Sequence, residues 1–466
     1  MTKAADRGAI AIVLHTHMPY VEGFGTWPFG EEWLWEAIAG SYLPLLDVLD
    51  RGAPVTLSLT PVLGDQLAAP GVGERFLAFV HDMRAETHRI DAEGCRAGGR
   101  DHLAAELERA AGDYARAADR FECRGGDVLG ALARHAAWTS SATHAVLPLL
   151  ATDAGVRLQL SAGIAAHRAR SGEAWRGGFW LPECAHAPWL DPLLEEAGVH
   201  ATCVDLTGVL GHGDERHLRP IASAAGPLLV PVDRAVMDLV WSDAGYPAHG
   251  AYRDYHHRTT HDHRPWANDG SVYDPARASA QARADAADFV ARAARRVAGG
   301  GLSVCALDTE LLGHWWYEGV TWLEAVVDEA GRQGLALVGL DDALAEAAPA
   351  PPPPAHQGVT TWGTQRDLST WSSPRVADLA FAARHAELRV VAAGTRADER
   401  AVRELLALQS SDWAFMVSRD LAEPYGRERA AAHAAALDAA LGAPGAGGPH
   451  LRGLAPYAST AALLAP

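Results

Sequence analysis

The sequence predicts an α/β protein whose core is a parallel β-barrel. Short apolar segments that end in polar residues recur along the chain, and segments of helical periodicity lie between several of them. Continuous apolar strands are typical of parallel sheets that are covered on both faces. Their alternation with helices favours a barrel. A length of 466 residues and a hydrophobic content of 48% allow a large core together with smaller helical parts.

The elements follow one another along the chain in this alternating order. The first predicted strand covers residues 9–14 (AIAIVL), and a helix follows over 32–50. A second strand is predicted over 55–60 (VTLSLT), and residues 64–150 are predicted to be mostly helical. Further strands are predicted at the apolar runs 177–182, 200–205, 227–232, 302–307 and 335–340.

Changes in composition divide the chain into five predicted parts. An Ala-, Arg- and Glu-rich stretch interrupts the barrel, and the segment AAPAPPPPA (347–355) is a stiff polyproline boundary. Beyond it, residues 375–445 have helical periodicity. The predicted parts are barrel residues 1–74, a helical insertion at 75–132, barrel residues 133–348, a linker and groove-lining segment at 349–373, and an all-helical C-terminal domain at 374–466.

Charge and cysteine content exclude several functional classes. The net charge of −18 argues against nucleic acid, an anionic membrane surface or a polyanionic substrate as a partner, but it is compatible with a neutral ligand. The five scattered Cys residues form no CxxC pair, so neither a disulfide framework nor a Cys-based zinc site is predicted. No run of 18 apolar residues predicts a membrane span, and a cytoplasmic location is expected. The sequence does not indicate an oligomeric state.

Fifteen Trp residues are the most unusual feature of the composition. Trp138 and Trp322 lie in helical patterns and are predicted to belong to the core. Most of the others lie beside Gly, Pro or acidic residues in predicted loops. Exposed Trp rings in a cleft stack on flat ligands, so the loop residues predict a ligand-binding cleft.

Polar residues gather at the predicted carboxyl ends of the strands, where parallel α/β folds place their active sites. His15 and His17 are two residues apart and share one face of a strand, while Glu183 and Asp308 end two later strands. Two interpretations stay open. The His pair with nearby acids is typical of half a zinc site, whereas two carboxyls of unequal pKa suit glycoside chemistry. The abundance of aromatic residues favours the carboxyl pair.

Each polar candidate also has a structural interpretation. Asp308 fits the N-cap of a following helix, and Glu310 and His314 have the spacing of a helical pair. His144 lies in an apolar stretch that suits a core residue. Asp205 is equally a structural acid at a strand end or a substrate contact.

Five segments of the chain carry recognisable motifs in a characteristic order. They are HTHMP (15–19), SATHAVLP (141–148), GFWLPEC (178–184), ALDTELLGHWW (306–316) and SSDWAF (410–415). Together they resemble glycoside hydrolase family 57, specifically its 1,4-α-glucan branching enzymes. The resemblance implies a (β/α)7 barrel with a helical insertion and a C-terminal helical bundle.

The resemblance also implies roles for individual residues. Glu183 is the expected nucleophile and Asp308 the expected acid and base, with carboxyl groups about 5–5.5 Å apart for a retaining reaction. Tyr246 matches a mobile-loop residue that shields the intermediate from water. No metal or cofactor is implied, and the partner is an α-1,4-glucan. The expected substrate-binding residues are His15, His17, His144, Trp180, Tyr246, His314, Trp315, Trp362, Trp371, Asp412 and Trp413.

The chain departs from the family's pattern at residues 256–278 (HHRTTHDHRPWANDGSVYDPARA), which are short and rich in His. We expect a solvated loop here, with Trp266 as the candidate to replace an aromatic residue of the family. The predicted activity transfers a chain from an α-1,4 to an α-1,6 linkage. The alternatives are an α-amylase or 4-α-glucanotransferase, a glucan-binding protein with weak hydrolysis, and a metal-dependent deacetylase-type hydrolase that uses His15 and His17.

Overall fold

The computed structural model describes residues 8–25, 29–172, 174–224, 226–351, 358–422, 424–443 and 453–464. The predicted polyproline segment and the linker that follows it therefore lie partly outside the described residues. The strands in the described ranges are β1 (Ala9–Thr16), β2 (Thr56–Leu59), β3 (Ala136–Ser140), β4 (Phe179–Trp180), β5 (Ala201–Val204), β6 (Ile221–Ala222), β7 (Leu228–Pro231), β8 (Leu302–Asp308) and β9 (Ala336–Leu337).

Seven of these strands form a closed parallel barrel. β1 pairs with β2 on one side and with β8 on the other, and β2, β3 and β4 follow in order. A bridge between Gly178 and Ala201 joins β4 to β5, which pairs with β7. The amide of Asp233, just after β7, donates to the carbonyl oxygen of Val304 in β8 at 2.8 Å and closes the ring. The predicted (β/α)7 barrel is confirmed.

The central strand β1 shows how the barrel positions polar groups. Residues 10–14 are fully buried, because neighbouring strands and helices cover both faces of the strand. The strand register pairs His15 with Ser58 of β2 and with Asp308 of β8. An imidazole, a hydroxyl and a carboxyl group therefore reach the same level at the carboxyl end of the barrel.

Helices surround the barrel and build the insertion and the C-terminal region. π-Helical turns at Ile38–Tyr42 and Phe79–Arg84 join α1 to α2 and α4 to α5 without a break. The helices are α1 (Glu31–Ala37), α2 (Leu43–Asp50), α3 (Pro61–Leu67), α4 (Val72–Ala78), α5 (Ala85–Ala97), α6 (Asp101–Cys123), α7 (Val128–Ala133), α8 (Asp153–Ser171), α9 (Asp191–Glu196), α10 (Thr207–Leu210), α11 (Arg234–Trp241), α12 (Pro275–Arg296), α13 (Gly319–Gln333), α14 (Leu340–Glu346), α15 (Ser369–Ser372), α16 (Ala377–Ala393), α17 (Glu399–Leu408), α18 (Ser411–Ser418) and α19 (Tyr425–Gly442).

The structure corrects the sequence interpretation in one barrel strand. The helical prediction over 64–150 is wrong at β3, and Trp138 lies in this strand rather than in a helix. Two Ala residues at the start of β3 continue an Ala-rich helical pattern and hide the strand, because Ala has weak β-propensity. Trp138 is nevertheless fully buried, as predicted, and its Nε1 donates to Asp341 at 2.7 Å.

The His-rich loop packs onto the insertion, so the prediction of a solvated loop is wrong for its central part. Helices α5 and α6 pack side by side, and Trp266 joins their apolar cluster. The imidazole of His261 is 2.6 Å from the carboxylate of Asp91, and that of His263 is 3.0 Å from the hydroxyl of Thr87. The polar face of α5 therefore provides hydrogen-bond partners for these two His side chains, in place of water.

The C-terminal helices α16–α19 pack around their own apolar core and against the barrel. Val402, Leu405 and Leu437 are almost fully buried in this core. The hydroxyl of Thr143, in the segment after β3, donates to the carbonyl of Leu406 in α17 at 2.5 Å. Within the described residues, no helix is long and apolar enough to cross a membrane.

Glu32, in the first turn of α1, predicts a distinctive pH dependence of stability. It is 3% exposed, and neither carboxyl oxygen has a hydrogen-bond partner among the described side chains. Burial, together with the nearby charge of Glu36, raises the pKa of Glu32 to about 8. The unfolded chain ionises this group near its ordinary value, so the folded state loses stability as the pH rises from that value through about 8.

We therefore expect Glu32→Gln to raise the free energy of unfolding, and to raise it more at about pH 9 than at about pH 5. Urea denaturation at the two pH values measures the difference. Glu195→Gln, which changes an exposed acid of α9, serves as the control. If Glu32→Gln raised the free energy of unfolding equally at both pH values, this would contradict the burial of an unpartnered carboxyl group.

Candidate active site

Three His side chains stack at the carboxyl end of the barrel. The rings of His17 and His144 are parallel, with centroids 3.9 Å apart, and the ring of His15 stacks on Trp180 at 4.6 Å. The Nε2 atoms of His15 and His144 are 2.9 Å apart, so one imidazole donates and the other accepts. Burial and the neighbouring imidazoles hold the pKa of both His15 and His144 well below the ordinary value. These two rings are neutral at physiological pH.

The third imidazole differs because it has an acidic partner. Burial alone would lower the pKa of His17, but the charge and hydrogen bond of Asp412 raise it above the ordinary value. His17 Nε2 is 3.0 Å from Asp412 Oδ1, at the start of α18. The C-terminal helical region thus supplies the counter-charge for an imidazole of the barrel.

Glu183 follows β4 in a strained left-handed conformation. Its φ is +63°, and that of the next residue, Cys184, is +49°, which non-glycine residues adopt at a cost of about 1–2 kcal/mol. Trp362 donates its backbone amide to the carbonyl oxygen of Glu183 and its indole N–H to Oε2, both at 2.9 Å. The Ser411 hydroxyl donates to Oε1 at 3.2 Å. Residues far along the chain therefore hold both the backbone and the carboxyl group of Glu183.

The segment after β3 is held in a similar way. His144 also has a left-handed φ of +59°. Ser411 donates its backbone amide to the carbonyl oxygen of His144 at 3.1 Å, and its hydroxyl lies 2.8 Å from Nδ1. One serine at the start of α18 thus contacts His144 and Glu183, two of the three left-handed residues named here.

The two carboxyl groups of Glu183 and Asp308 have unequal environments. Burial raises the pKa of Glu183 to about 7, although the hydrogen bond from Trp362 opposes the shift. Burial raises the pKa of Asp308 well above its ordinary value, and the charges of Glu310 and Glu183 raise it further. Asp308 occupies the N-cap position of the 3-10 turn that follows, but its side chain makes no capping hydrogen bond. Both carboxyl groups therefore favour the protonated form more than free side chains do, and the hydrogen bonds from Trp362 and Ser411 favour the ionised form of Glu183.

Glu310 faces the His cluster instead of pairing with His314. Tyr42 donates its hydroxyl to Glu310 Oε1 at 2.6 Å, and the backbone amide of His17 donates to the same atom at 3.2 Å. The predicted helical pair is wrong, because residues 309–311 form a tight 3-10 turn rather than an α-helix. The sequence does not predict the hydrogen bond from Tyr42 to Glu310, because an aromatic residue within a helical pattern does not indicate a functional site.

Three of the predicted substrate-binding residues are buried Trp side chains. Trp180 is fully buried between His15 and Trp362, and Trp371 is 2% exposed in a cluster with Val146 and other apolar residues. Trp413 is 1% exposed, and its indole N–H donates to the carbonyl of Ala407 at 2.8 Å. All three rings are therefore packed within the protein in this structure, and their direct contact with a substrate stays a prediction. Trp362 keeps an accessible surface.

The remaining predicted contacts point away from the His cluster. Tyr246 donates its hydroxyl to Asp288 of α12 at 2.7 Å, which holds the predicted mobile-loop residue against that helix. His314 and Trp315 line a neighbouring cavity. These three residues are therefore not part of the same cluster as Glu183 and Asp308.

Asp205 is a structural acid that supports the site indirectly. It is fully buried and accepts a hydrogen bond from Arg234 Nε at 2.9 Å. Arg234 donates through a second nitrogen to the carbonyl oxygen of Trp362 at 2.8 Å. The ion pair between Asp205 and Arg234 therefore fixes Trp362, the residue that holds Glu183. This contact favours the structural interpretation of Asp205.

His17, His144 and Asp412 are also the residues closest to a metal-binding arrangement. Their ligand atoms lie within 4.8 Å of one another. The hydrogen bonds between His17 and Asp412, and between His144 and Ser411, already use these atoms. A metal ion would have to replace both of these hydrogen bonds.

Comparison with known proteins finds matches to one enzyme family. Residues 137–350 match the family model of glycosyl hydrolase family 57, and residues 374–449 match that of the C-terminal part of 1,4-alpha-glucan branching enzyme. A probable 1,4-alpha-glucan branching enzyme of Mycobacterium tuberculosis is 33% identical over 510 residues, which cover 94% of this chain and 93% of that relative.

Solved structures of the same type are also similar. A branching enzyme of family 57 from Pyrococcus horikoshii has a TM-score of 0.84 at 29% identity, covering 91% of this chain and 88% of that one. One from Thermococcus kodakaraensis, in complex with glucose, has a TM-score of 0.83 at 28% identity, covering 92% and 88%. The chain belongs to glycosyl hydrolase family 57. Within the family it is similar to the branching enzymes, which confirms the resemblance noted in its motifs.

The contact between Gly313 and Gly40 predicts an unequal response to two similar substitutions. Gly313 has a φ of +98°, and an added Cβ would clash with the carbonyl oxygen of Gly40. Gly334, at the end of α13, has a φ of +70° with open space around its Cβ position. We expect Gly313→Ala to lower the free energy of unfolding by about 3 kcal/mol or more, against about 1 kcal/mol for Gly334→Ala. Chemical denaturation of both variants measures this, and equal losses would contradict the close approach.

Proposed function

We propose that this protein is a 1,4-α-glucan branching enzyme that works by a retaining double displacement. The observation that carries the proposal is the pair formed by Glu183 and Asp308, two partly buried carboxyl groups at the carboxyl end of one barrel. Glu183 accepts hydrogen bonds from Trp362 and Ser411, whereas burial and the charges of Glu310 and Glu183 raise the pKa of Asp308 well above its ordinary value. Such a pair supplies an ionised nucleophile and a protonated acid at the same pH. The branching enzymes among its relatives support the choice of an α-1,4-glucan as the substrate.

In the first proposed step, the carboxylate of Glu183 attacks the anomeric carbon of an α-1,4-linked glucose unit. Asp308 gives its proton to the departing 4-oxygen, so the leaving chain departs as a neutral alcohol. In the second step, ionised Asp308 takes the proton from the 6-hydroxyl of an acceptor chain. That oxygen attacks the anomeric carbon and releases Glu183, which forms the α-1,6 bond and restores both carboxyl groups.

The His cluster is proposed to bind the sugar ring at the cleavage point. The ring nitrogens of His15 and His144 already bond to each other, to Ser58 and to Ser411, so each sugar hydroxyl that they bind would replace one of these partners. His17 carries the positive character that its pairing with Asp412 stabilises, and this charge lies close enough to Glu183 to lower the pKa of that group. The cluster would therefore position the ring and favour the ionised nucleophile.

A linkage assay tests the proposed reaction. Incubation of the protein with amylose is expected to produce α-1,6 linkages that proton NMR detects. Glu183→Gln and Asp308→Asn should each lower the rate by more than about 1,000-fold, since each removes a group that acts in the transition state. Glu195→Gln, the exposed control on α9, should keep the wild-type rate. If the assay yields new reducing ends but no α-1,6 linkages, the protein is an α-amylase. If it yields α-1,4 chains of altered length but no α-1,6 linkages, the protein is a 4-α-glucanotransferase.

The hydrogen bond from Trp362 predicts a shift in the pH profile. This bond lowers the pKa of Glu183 relative to burial alone, so Trp362→Phe should raise that pKa above about 7. Because the nucleophile must be ionised, the acidic limb of kcat/KM should move to higher pH. Trp371→Phe provides the matched control, as its indole nitrogen has no hydrogen-bond partner among the described residues. An unchanged limb in Trp362→Phe would contradict the role of Glu183 as the group that must ionise.

A further inference from the structure

A continuous chain of hydrogen bonds runs through two imidazoles to the carboxyl group of Glu183. Ser58 Oγ is 3.2 Å from His15 Nδ1, and His15 Nε2 is 2.9 Å from His144 Nε2. His144 Nδ1 is 2.8 Å from Ser411 Oγ, which lies 3.2 Å from Glu183 Oε1. All four ring nitrogens of the two imidazoles therefore belong to one chain of bonds, which we call the imidazole chain.

The fold brings the members of the imidazole chain together from four parts of the sequence. His15 and Ser58 are register partners in the neighbouring strands β1 and β2. His144 and Glu183 follow β3 and β4, and both have a left-handed backbone. Ser411 is the first residue of α18 in the C-terminal helical region. The two serines and two imidazoles are at most 4% exposed, so bulk water does not compete for their hydrogen bonds.

An ionised carboxylate sets the direction of every bond in the imidazole chain. Carboxylate oxygens only accept hydrogen bonds, so Ser411 donates its single hydroxyl proton to Glu183. The hydroxyl oxygen then accepts from His144, which places a proton on Nδ1 of that ring. Because a neutral imidazole carries one proton, Nε2 of His144 accepts from Nε2–H of His15. Nδ1 of His15 in turn accepts from the Ser58 hydroxyl.

This assignment of protons has no competitor among the neighbouring imidazoles. Burial and the adjacent rings hold the pKa of His15 and His144 well below the ordinary value, so neither ring carries a second proton. His17 stacks on His144, but its own nitrogens lie 3.3 Å from the hydroxyl of Thr60 and 3.0 Å from Asp412. His17 therefore stays outside the imidazole chain.

We propose that Ser411 is a positioning residue that couples the tautomers of His15 and His144 to the ionised form of Glu183. With Glu183 ionised, His144 is protonated on Nδ1 and His15 on Nε2. Hydrogen bonds in a chain polarise one another, so the bond from Ser411 to Glu183 is stronger than that of an isolated hydroxyl. The effect on catalysis rests on the proposed function, whereas the tautomers do not depend on it.

The variant Glu183→Gln tests the coupling because an amide has one accepting and one donating end. Trp362 donates its indole N–H to the Oε2 position, so the amide oxygen should lie there and the amide nitrogen should face Ser411. The Ser411 hydroxyl then accepts from the amide and donates to His144 Nδ1. Every bond of the imidazole chain reverses, which moves the proton of His144 to Nε2 and that of His15 to Nδ1.

Long-range proton–nitrogen NMR correlation spectra of protein with isotopically labelled His measure the tautomers. The spectra are recorded at about pH 9, where Glu183, with a pKa of about 7, is ionised. His15→Gln and His144→Gln assign the signals. Wild type should show Nδ1–H at His144 and Nε2–H at His15, and Glu183→Gln should show the reverse. The opposite tautomers in wild type, or unchanged tautomers in Glu183→Gln, would overturn the proposal.

A second comparison separates the hydroxyl of Ser411 from the charge of Glu183. Glu183 Oε1 is 3.9 Å from His144 Nδ1, so the negative charge by itself favours a proton on that nitrogen. If Glu183→Gln also reverses the tautomers in a Ser411→Ala background, the charge acts without the hydroxyl and the positioning role is wrong. Tautomers that no longer respond to Glu183→Gln in that background support coupling through Ser411.

The linkage assay with amylose measures the effect on the reaction. Ser411→Ala should lower kcat/KM by about tenfold or more, because it removes a hydrogen bond to the ionised nucleophile. Ser411→Thr keeps the hydroxyl and should restore most of the rate. Ser418→Ala is the matched control: it removes a hydroxyl of the same helix that bonds to the carbonyl of Phe415, and it should keep the wild-type rate. Thermal unfolding of each variant confirms that it folds.

The outcomes separate this inference from the proposed function. If wild type forms α-1,6 linkages and Ser411→Ala has wild-type kcat/KM, the positioning role is wrong and the branching function stands. If wild type forms no such linkages, the branching function fails. The NMR spectra then still decide whether Ser411 couples the two imidazoles to Glu183, since they require no turnover.

Discussion

The site depends on one constraint, the left-handed backbone of Glu183. A glutamate at φ +63° is unfavourable by itself, and it persists because Trp362 and Ser411 hold its carbonyl and its carboxyl group. Because the supports of Trp362 include the buried pair Asp205 and Arg234, the strain at one residue is offset by a network that spans the barrel and the segment after it.

The fold and the two carboxyl groups could be predicted from the sequence because their signals are local. Residues 9–14 and 302–307 are apolar runs, and each is followed directly by polar side chains. A carboxyl group at the carboxyl end of such a strand lies at the mouth of the barrel, independently of the sequence elsewhere in the chain. The short strand β3 was missed because its two Ala residues continue a helical composition.

The partners of these groups could not be predicted because they are distant in sequence. Trp362 lies 179 residues after Glu183, and Ser411 lies 228 residues after it. Nothing in the residue type of Ser411 or Tyr42 distinguishes them from other serines or tyrosines. The count of Trp residues predicted a cleft, but it could not show which rings are buried, as Trp180, Trp371 and Trp413 are.

The order of these parts along the chain has a consequence for biosynthesis. A ribosome makes the chain from its N-terminus, and domains begin to fold as they emerge. All seven barrel strands, with both Glu183 and Asp308, are complete by residue 308, whereas Trp362 and Ser411 arrive later. A nascent barrel would therefore hold both carboxyl groups before the partners of Glu183 are present. If the proposed function holds, the protein would become catalytically competent only when the last third of the polypeptide docks.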